Sequence, residues 1–453
     1  MIKLKSFWEY LHSTLWFLPF AIVGFSILLA IILIELEPSE NGTQFFQKIQ
    51  FFGSGAEAAR IMLSTIAGSI MGVVGVTFSM TLVTLTLVSS QYTSRILRNF
   101  TRDRVTQSIL GLFVGIFTYC LIVLCTISAN DQGEFIPRLA VFFAFILALA
   151  GVGALIYFIH HIACSIQASN ILSSIADETF ASIDLTYLKD LKNEIHENDE
   201  NIMKSLKGLN WFPILANKNG YIENVNLETL KIIAREKKTI LRIDHVIGGF
   251  VVRDTVLVSL TIDREQDQET VDFINSSFIF NKQRTMEQDI SFGIRQLVDI
   301  ALKALSSGIN DTTTAVMSLN YLTAIMVHLT SRKFNSCYHF DEKELRVITK
   351  DRNFEELLDE SFDQIRESAK ENTTIILKLI QSLQIIANKT LAEDILQAVD
   401  KQAYLISEMV KLTNHSSYNR EAISTQLIYL NTIQKNQLSL LSLEEGINKG
   451  RLQ

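Results

Sequence analysis

Proline is almost missing from this chain, with four in 453 residues, and that scarcity excludes a loop-rich β architecture in favour of long helices. Cysteine is equally sparse. Cys120 and Cys125 fall inside one apolar stretch, Cys164 just past another and Cys337 far downstream. No CxxC pair and no Cys/His spacing suited to zinc is present, so the thiols read as buried and reduced, and no metal or cofactor is expected. Positive charge is not in surplus either. A net charge of −7 gives no electrostatic case for a nucleic-acid partner. Gly248-Gly249 belongs to neither a GxGxxG nor a GK[ST] phosphate loop. No cleaved signal is expected, because the first apolar run is too long for a signal h-region and no small-residue cleavage site follows it.

What the chain does have is apolar residues, 48% of the total, crowded into its first 165 positions. Four runs, at about residues 11–34, 61–90, 109–127 and 139–159, are long enough to cross a hydrocarbon core of about 30 Å. In lipid every backbone polar group needs an internal partner, so such runs form helices. Trp8, Tyr10 and Trp16 stand near the start of the first as interfacial aromatics. Lys3 and Lys5 precede it, and Arg95, Arg98, Arg102 and Arg104 lie between the second and third. The loops after the first and third runs are instead acidic, with Glu35, Glu37, Glu40 and Glu57 in one and Asp131 and Glu134 in the other. The Lys/Arg bias places both termini in the cytoplasm. The expected protein is a mainly α, multi-pass membrane protein of four transmembrane helices followed by a cytoplasmic α+β domain. Its segments are a transmembrane domain (1–165), a helical connector (166–209), a small α/β module (210–265) and a helical cytoplasmic domain (266–453) ending in a helical bundle.

The second run is overlong, since about 30 residues make some 45 Å of helix. It is also rich in small and hydroxyl residues. Ser64, Gly68, Gly72, Gly75, Ser79, Thr86 and Ser90 fall on one side of a helix, with Thr77, Thr81 and Thr84 almost opposite. Two readings fit. Gly68, Gly72 and Gly75 suit close helix packing, since small residues let backbones approach. Thr77, Thr81, Thr84 and Ser79 suit an aqueous lining in an oligomeric pore. No Asp, Glu, Lys, Arg or His stands in any span core, which disfavours an ion-coupled pump but not a passive pore. The basic loop needs no role beyond anchoring, although it also suits anionic headgroups or anions at a cytoplasmic mouth. His160 and His161 end the fourth run as interfacial anchors, pointing in different directions as neighbours on a helix.

Beyond residue 210, Gly220–Val225 reads as a strand and Asn226 as the cap of a helix from Leu227 to Lys237. Thr239–Val246, Gly249–Val252 and Thr255–Ile262 read as three further strands, giving a β-α-β-β-β module. From Val271 the chain reads as helical. Within it Arg284, Asp289, Arg295, Asp299 and Lys303 precede a glycine-containing stop and a cap at Asn310 or Asp311. Arg295, Asp299 and Lys303 are spaced for i,i+4 pairing. This segment reads as a salt-bridge ladder with a cap, or as the seat of a small cytoplasmic ligand or a partner segment. His245 and His339 are isolated and read as structural.

Three stretches in the second run and its loop (STIAGS at 64–69, GVTFS at 75–79, SSQYTSRILRNF at 89–100) occur together with FGIRQLVDIA at 292–301, KALS at 303–306 and GIND-TTA over 308–315. With them the chain resembles, to about residue 420, the bacterial membrane-protein family of domain of unknown function 2254. The resemblance implies a bacterial inner membrane and four spans, and no established reaction. It also implies prolines at the helix stop where this chain has Ser307 and Thr312.

The expected function is a homo-oligomeric ion channel or pore with a cytoplasmic regulatory domain. Its partners are the lipid bilayer, further copies of the chain and either ions or a small ligand. The alternative is a membrane-anchored sensor or scaffold without transport. Catalysis built around Arg295, Asp299 and Asp311 lacks a histidine or third carboxylate at ligand spacing, so no enzymatic activity is expected.

Overall fold

A computed structural model describes residues 16–36, 55–92, 103–130, 133–187, 206–261, 267–286, 288–334, 336–341 and 344–451. The chain divides into two units, Met1–Asn170 and Ile171–Gln453. The basic-loop residues Arg95, Arg98 and Arg102 lie outside the described residues, as do Lys3, Lys5, Trp8 and Tyr10.

The first unit holds α1 (Phe17–Glu35), α2 (Ala56–Gln91), α3 (Arg104–Thr126), a short hairpin of β1 (Ser128–Asn130) and β2 (Gly133–Phe135), and α4 (Arg138–Ser165). All four helices are long and apolar enough to cross a membrane. At 36 residues, α2 measures about 54 Å, well beyond a bilayer's hydrocarbon thickness. α3 is central, packing on α1, α2 and α4. Two of its glycines explain how closely α1 approaches. A Cβ at Gly111 would lie 2.8 Å from Pro19 Cα, and one at Gly115 would lie 2.5 Å from Ser26 Oγ. Phe113, Tyr119 and Phe158 fill the interior with no exposure, and the Tyr119 hydroxyl donates to the Ala140 carbonyl at 2.9 Å. A buried phenol left without a partner would cost about 1–3 kcal/mol, so this bond permits a tyrosine at the bundle centre.

One end of this bundle is tied by polar contacts. Asp103 caps α3, accepting from the backbone N–H groups of Val105 and Thr106 at 3.2 and 3.1 Å. It also meets His161 Nε2 at 2.7 Å. The Tyr92 hydroxyl donates to the Ile166 carbonyl at 3.2 Å. His161 is thus committed to a contact with Asp103, while its neighbour His160 is exposed. At the other end Arg60 Nη2 donates to the Ile127 carbonyl at 2.8 Å.

The second unit begins with α5 (Ala168–Thr186, of which the first residues belong to the first unit). Next come β3 (Phe212–Leu215), β4 (Gly220–Val225), α6 (Leu227–Glu236), β5 (Leu241–Ile243), β6 (Phe250–Val251), β7 (Val256–Leu260), α7 (Gln268–Ser276) and β8 (Phe278–Asn281). A helical region follows: α8 (Ile290–Ala304), α9 (Thr312–Thr330), the hairpin β9 (Tyr338–Asp341) and β10 (Glu344–Ile348), then α10 (Phe354–Ser368), α11 (Thr373–Ala387), α12 (Glu393–Leu412) and α13 (Ser417–Arg451).

The strands form two sheets rather than one module. The larger has the order β3-β7-β5-β10-β9, with β5 and β10 parallel and the other pairs antiparallel. The smaller is β6-β4-β8, antiparallel throughout. The region from Val271, expected to be helical, is mostly so, but β8, β9 and β10 also arise from it and complete both sheets. Their core joins Ile222, Leu230, Leu241, Val258 and Val347. Asn226 caps α6 as its sequence position requires, its side chain accepting from the Thr229 N–H at 3.1 Å.

Candidate functional site

Two regions carry the residues that the sequence singles out, the faces of α2 and the segment around α8.

On α2 the residues singled out divide between a covered face and an exposed one. Thr77 and Thr84 are 1% and 4% exposed, turned into the bundle, with their hydroxyls closed onto the helix's own backbone. Thr77 Oγ1 donates to the Val73 and Val74 carbonyls at 3.0 and 2.9 Å, and Thr84 Oγ1 to Met80 at 2.9 Å. Thr81 is half-buried and bonds to the Thr77 carbonyl at 2.8 Å. This face does not meet water within one chain. Of the four residues expected to line a path, Ser79 alone is exposed.

The opposite face is open. Gly68, Gly72 and Gly75 are exposed, and a Cβ added at any of them would meet nothing within 4 Å. Among the described residues they pack against no other helix. The glycines that do permit close approach are Gly111 and Gly115 on α3 and Gly151 on α4, where an added Cβ would meet Ile116 at 3.2 Å and Ile70 at 3.3 Å. Ser64 and Ser79 continue the open face at 3–4 residue spacing. Large apolar side chains such as Val76, Phe78 and Leu82 flank it, each about half exposed or more.

The segment before and along α8 is a structural clasp. Arg284 grips Asp289 with two bonds, Nε to Oδ2 at 2.7 Å and Nη2 to Oδ1 at 2.8 Å, a bidentate fork that suits guanidinium and carboxylate geometry. Asp289 is 4% exposed and also caps α8 through the Phe292 N–H at 3.2 Å. The network continues from Arg284 to Ser291 Oγ at 3.1 Å, from Ser291 to Glu360 on α10 at 2.6 Å, and from Glu360 to Arg352. Two glycines make room for it. Gly248 has φ +79, and a Cβ there would lie 1.9 Å from Asp289 Oδ2, while one at Gly293 would lie 2.1 Å from Thr179 Oγ1 on α5. Ser182 on α5 closes the contact by donating to the Met286 carbonyl at 2.7 Å.

Further along, Arg295 pairs with Asp299 at 2.7 Å. Among the described residues Lys303 makes no ion pair, so the expected ladder has one rung. The helix stop resolves the choice between two caps. Asn310 takes the left-handed conformation, φ +51, a region that Asn tolerates through its short polar side chain. Asp311 caps α9, accepting from the Thr314 N–H at 3.0 Å. The hydrogen bond from the Thr314 hydroxyl and then those from the backbone hold the Asp311 carboxyl below its ordinary pKa. Arg104, the described member of the basic loop, is the first residue of α3.

Sequence reasoning missed one grouping. His245 and His339 line the same cleft in the second unit. They are far apart in sequence and are brought together by the parallel pairing of β5 with β10 and the antiparallel pairing of β10 with β9, which leaves no local signature. Among the described residues no group of three His, Cys, Asp or Glu side chains is placed to hold a metal ion.

Comparison with known proteins places this architecture. Residues 12–384 match the family described as predicted membrane protein (DUF2254), and the chain belongs to that family. Proteins from Mycobacterium bovis and Mycobacterium tuberculosis, both described as uncharacterised, are 28% identical over 413 residues, covering 89% of this chain and 77% of theirs. No solved structure matches the chain.

Proposed function

We propose that this membrane protein is a homo-oligomeric channel of the bacterial inner membrane, and that permeating ions pass between copies along the open face of α2. Both termini and the second unit then lie in the cytoplasm, a placement that the Lys/Arg distribution supports. The single observation that carries the reading is the exposed Gly68, Gly72 and Gly75 face, unpartnered among the described residues, on a helix of 36 residues. Facing lipid, such a stripe leaves gaps against acyl chains and uncovers backbone, and each glycine costs about 1 kcal/mol of helix propensity against alanine. Facing a neighbour or a hydrated axis, it permits close approach and offers backbone carbonyls and the Ser64 and Ser79 hydroxyls to an ion. The bundle interior is filled by Phe113, Tyr119 and Phe158, so the path runs between chains rather than through one. No catalytic step is assigned, and the clasp around α8 serves to hold the second unit together.

The same open GxxxG step favours a second reading, a membrane-anchored sensor or scaffold in which α2 only joins two copies. Reconstitution separates the two. A channel gives ion flux in proteoliposomes that falls at least tenfold in Gly72→Leu, with the protein still folded. Silent bilayers across ions, voltage and pH, from protein that cross-links as dimers through position 79, overturn the channel and support the scaffold.

A further inference from the structure

The cleft that holds His245 and His339 has a volume of about 400 Å³, within the range of small-molecule sites. Its position follows from the topology. The carboxyl ends of β4, β5 and β10 converge on it, through Asn224 and Val225, Ile243 and His245, and Thr349 to Asp351 respectively. β5 and β10 are the parallel pair of the larger sheet, and crevices outside the carboxyl ends of parallel strands are where open sheets bind ligands. Leu185 from the end of α5 and Gln288 from the turn before α8 close the sides.

The chemistry of the lining selects the ligand. Val225, Leu227, Ile243, Ile247 and Leu185 supply apolar wall. His245 Nε2 lies 2.8 Å from the Val256 carbonyl. A carbonyl only accepts, so that nitrogen carries a proton, and in the neutral imidazole Nδ1 is the acceptor. His339 Nε2 lies 3.1 Å from Thr349 Oγ1, and the Thr349 hydroxyl donates to Asp351 Oδ2 at 2.8 Å. This relay assigns the His339 proton to Nε2 and again leaves Nδ1 as an acceptor. Burial holds the His339 pKa below its ordinary value, so the ring is neutral near pH 7. Two imidazole acceptors and the Asp351 carboxylate therefore stand ready for an ammonium. Lys350 and the Asn224 and Gln288 carboxamides, none with a side-chain hydrogen bond among the described residues, stand ready for a carboxylate.

The formal charge of the lining is zero, with Lys350 balanced by Asp351, which disfavours a polyanion. The helix starts beside the cleft are no phosphate cradle either. α6 is capped by Asn226 and α8 by the carboxylate of Asp289, so each start already has a side-chain acceptor on one of its N–H groups, and at α8 that acceptor is negatively charged. We propose that this cleft binds a small zwitterion with an apolar body, of the apolar α-amino-acid class, held by Lys350 at its carboxylate and by Asp351 and the two histidines at its ammonium. The inference does not rest on permeation, since it concerns binding to the second unit and is read without any measure of flux.

The test uses the full chain in lipid nanodiscs and calorimetric titration with L-leucine and L-phenylalanine. Saturable binding is expected. It should weaken at least about tenfold for leucinamide, which lacks the carboxylate, and for 4-methylpentanoate, which lacks the ammonium. Lys350 and Asp351 are exposed, so Lys350→Met and Asp351→Asn leave the fold intact and should each weaken L-leucine binding by a similar factor. Three results overturn the proposal. The first is no saturable binding of either amino acid up to about 10 mM. The second is equal binding of leucine and both analogues, and the third is tighter binding of adenosine monophosphate than of either amino acid.

Discussion

His161 Nε2 and Asp103 Oδ2 stand 2.7 Å apart, joining the last turns of one apolar helix to the first residue position of another. Asp103 also caps α3 through two backbone N–H groups, so a single carboxylate orders a helix start and holds a neighbouring helix end. Burial, the largest influence, raises the Asp103 pKa, but hydrogen bonds from Thr106 and His161 together outweigh it and the group titrates below its ordinary value. A carboxylate with a depressed folded pKa stabilises fully above the unfolded value of about 3.9, and the contribution fades as pH falls through the folded one. Asp103→Ala should therefore lower the thermal midpoint at pH 7 by an amount equivalent to about 1 kcal/mol. The difference from wild type should shrink below about pH 4. Thermal unfolding in detergent across pH 3–7 checks both parts, and a difference that grows on acidification would contradict the sign.

The pair of Arg284 and Asp289 should be far less tolerant. Arg284→Met leaves a carboxylate that is 4% exposed without its cation, a loss of about 3–5 kcal/mol when one partner of a buried pair is removed. Restoring neutrality with Asp289→Asn in the same chain should recover part of it, because asparagine still caps a helix. Chemical unfolding of the two single variants and the double variant measures the coupling, and simple additivity would remove the pair from the account of the clasp.

Glycine substitutions around the clasp should separate close approach from mere presence in a turn. Gly248→Ala faces both a left-handed φ and an Asp289 oxygen 1.9 Å from the new Cβ, and Gly293→Ala faces Thr179 at 2.1 Å. Each should cost about 1–3 kcal/mol or more through overpacking. Gly308→Ala meets nothing within 4 Å and should fall within about 0.5 kcal/mol of wild type. Unfolding midpoints of the three variants, measured together, decide this.

The elements that could be read from the sequence are those with a local cause. Asn226 was readable as a cap, and Asp311 as one of two candidates, because the bond each makes reaches only three residues ahead. The four apolar helices were readable because bilayer thickness fixes a minimum run. The fusion of β5 with β10 was not, because Leu241 and Val347 are neighbours only after the helices between them have packed. His245 and His339 shared that fate and read as isolated. The two faces of α2 were separable by angle, but periodicity does not say which face a neighbour covers. The packing of α2 on α3 and α4 decided that, with Gly151 of α4 admitting Ile70, and nothing local marks Gly151 as more important than Gly68 or Gly72.

The orientation of α2 makes the last prediction a choice between two hydroxyl faces. Thr84 is buried and its hydroxyl already bonds to the Met80 carbonyl, a local bond that adds little to a helix. Thr84→Val keeps the shape and removes that bond, so it should leave ion flux in proteoliposomes within about twofold of wild type and shift stability by less than about 1 kcal/mol. Ser79 is exposed on the open face. Ser79→Leu replaces a small hydroxyl by a bulky apolar group where copies or ions would meet, and flux should fall by at least tenfold without loss of fold. Flux measured on both variants at matched protein incorporation tells the faces apart. If Thr84→Val silences transport while Ser79→Leu passes ions normally, the conducting surface is the one the bundle covers here, and the helices must then rearrange to expose it.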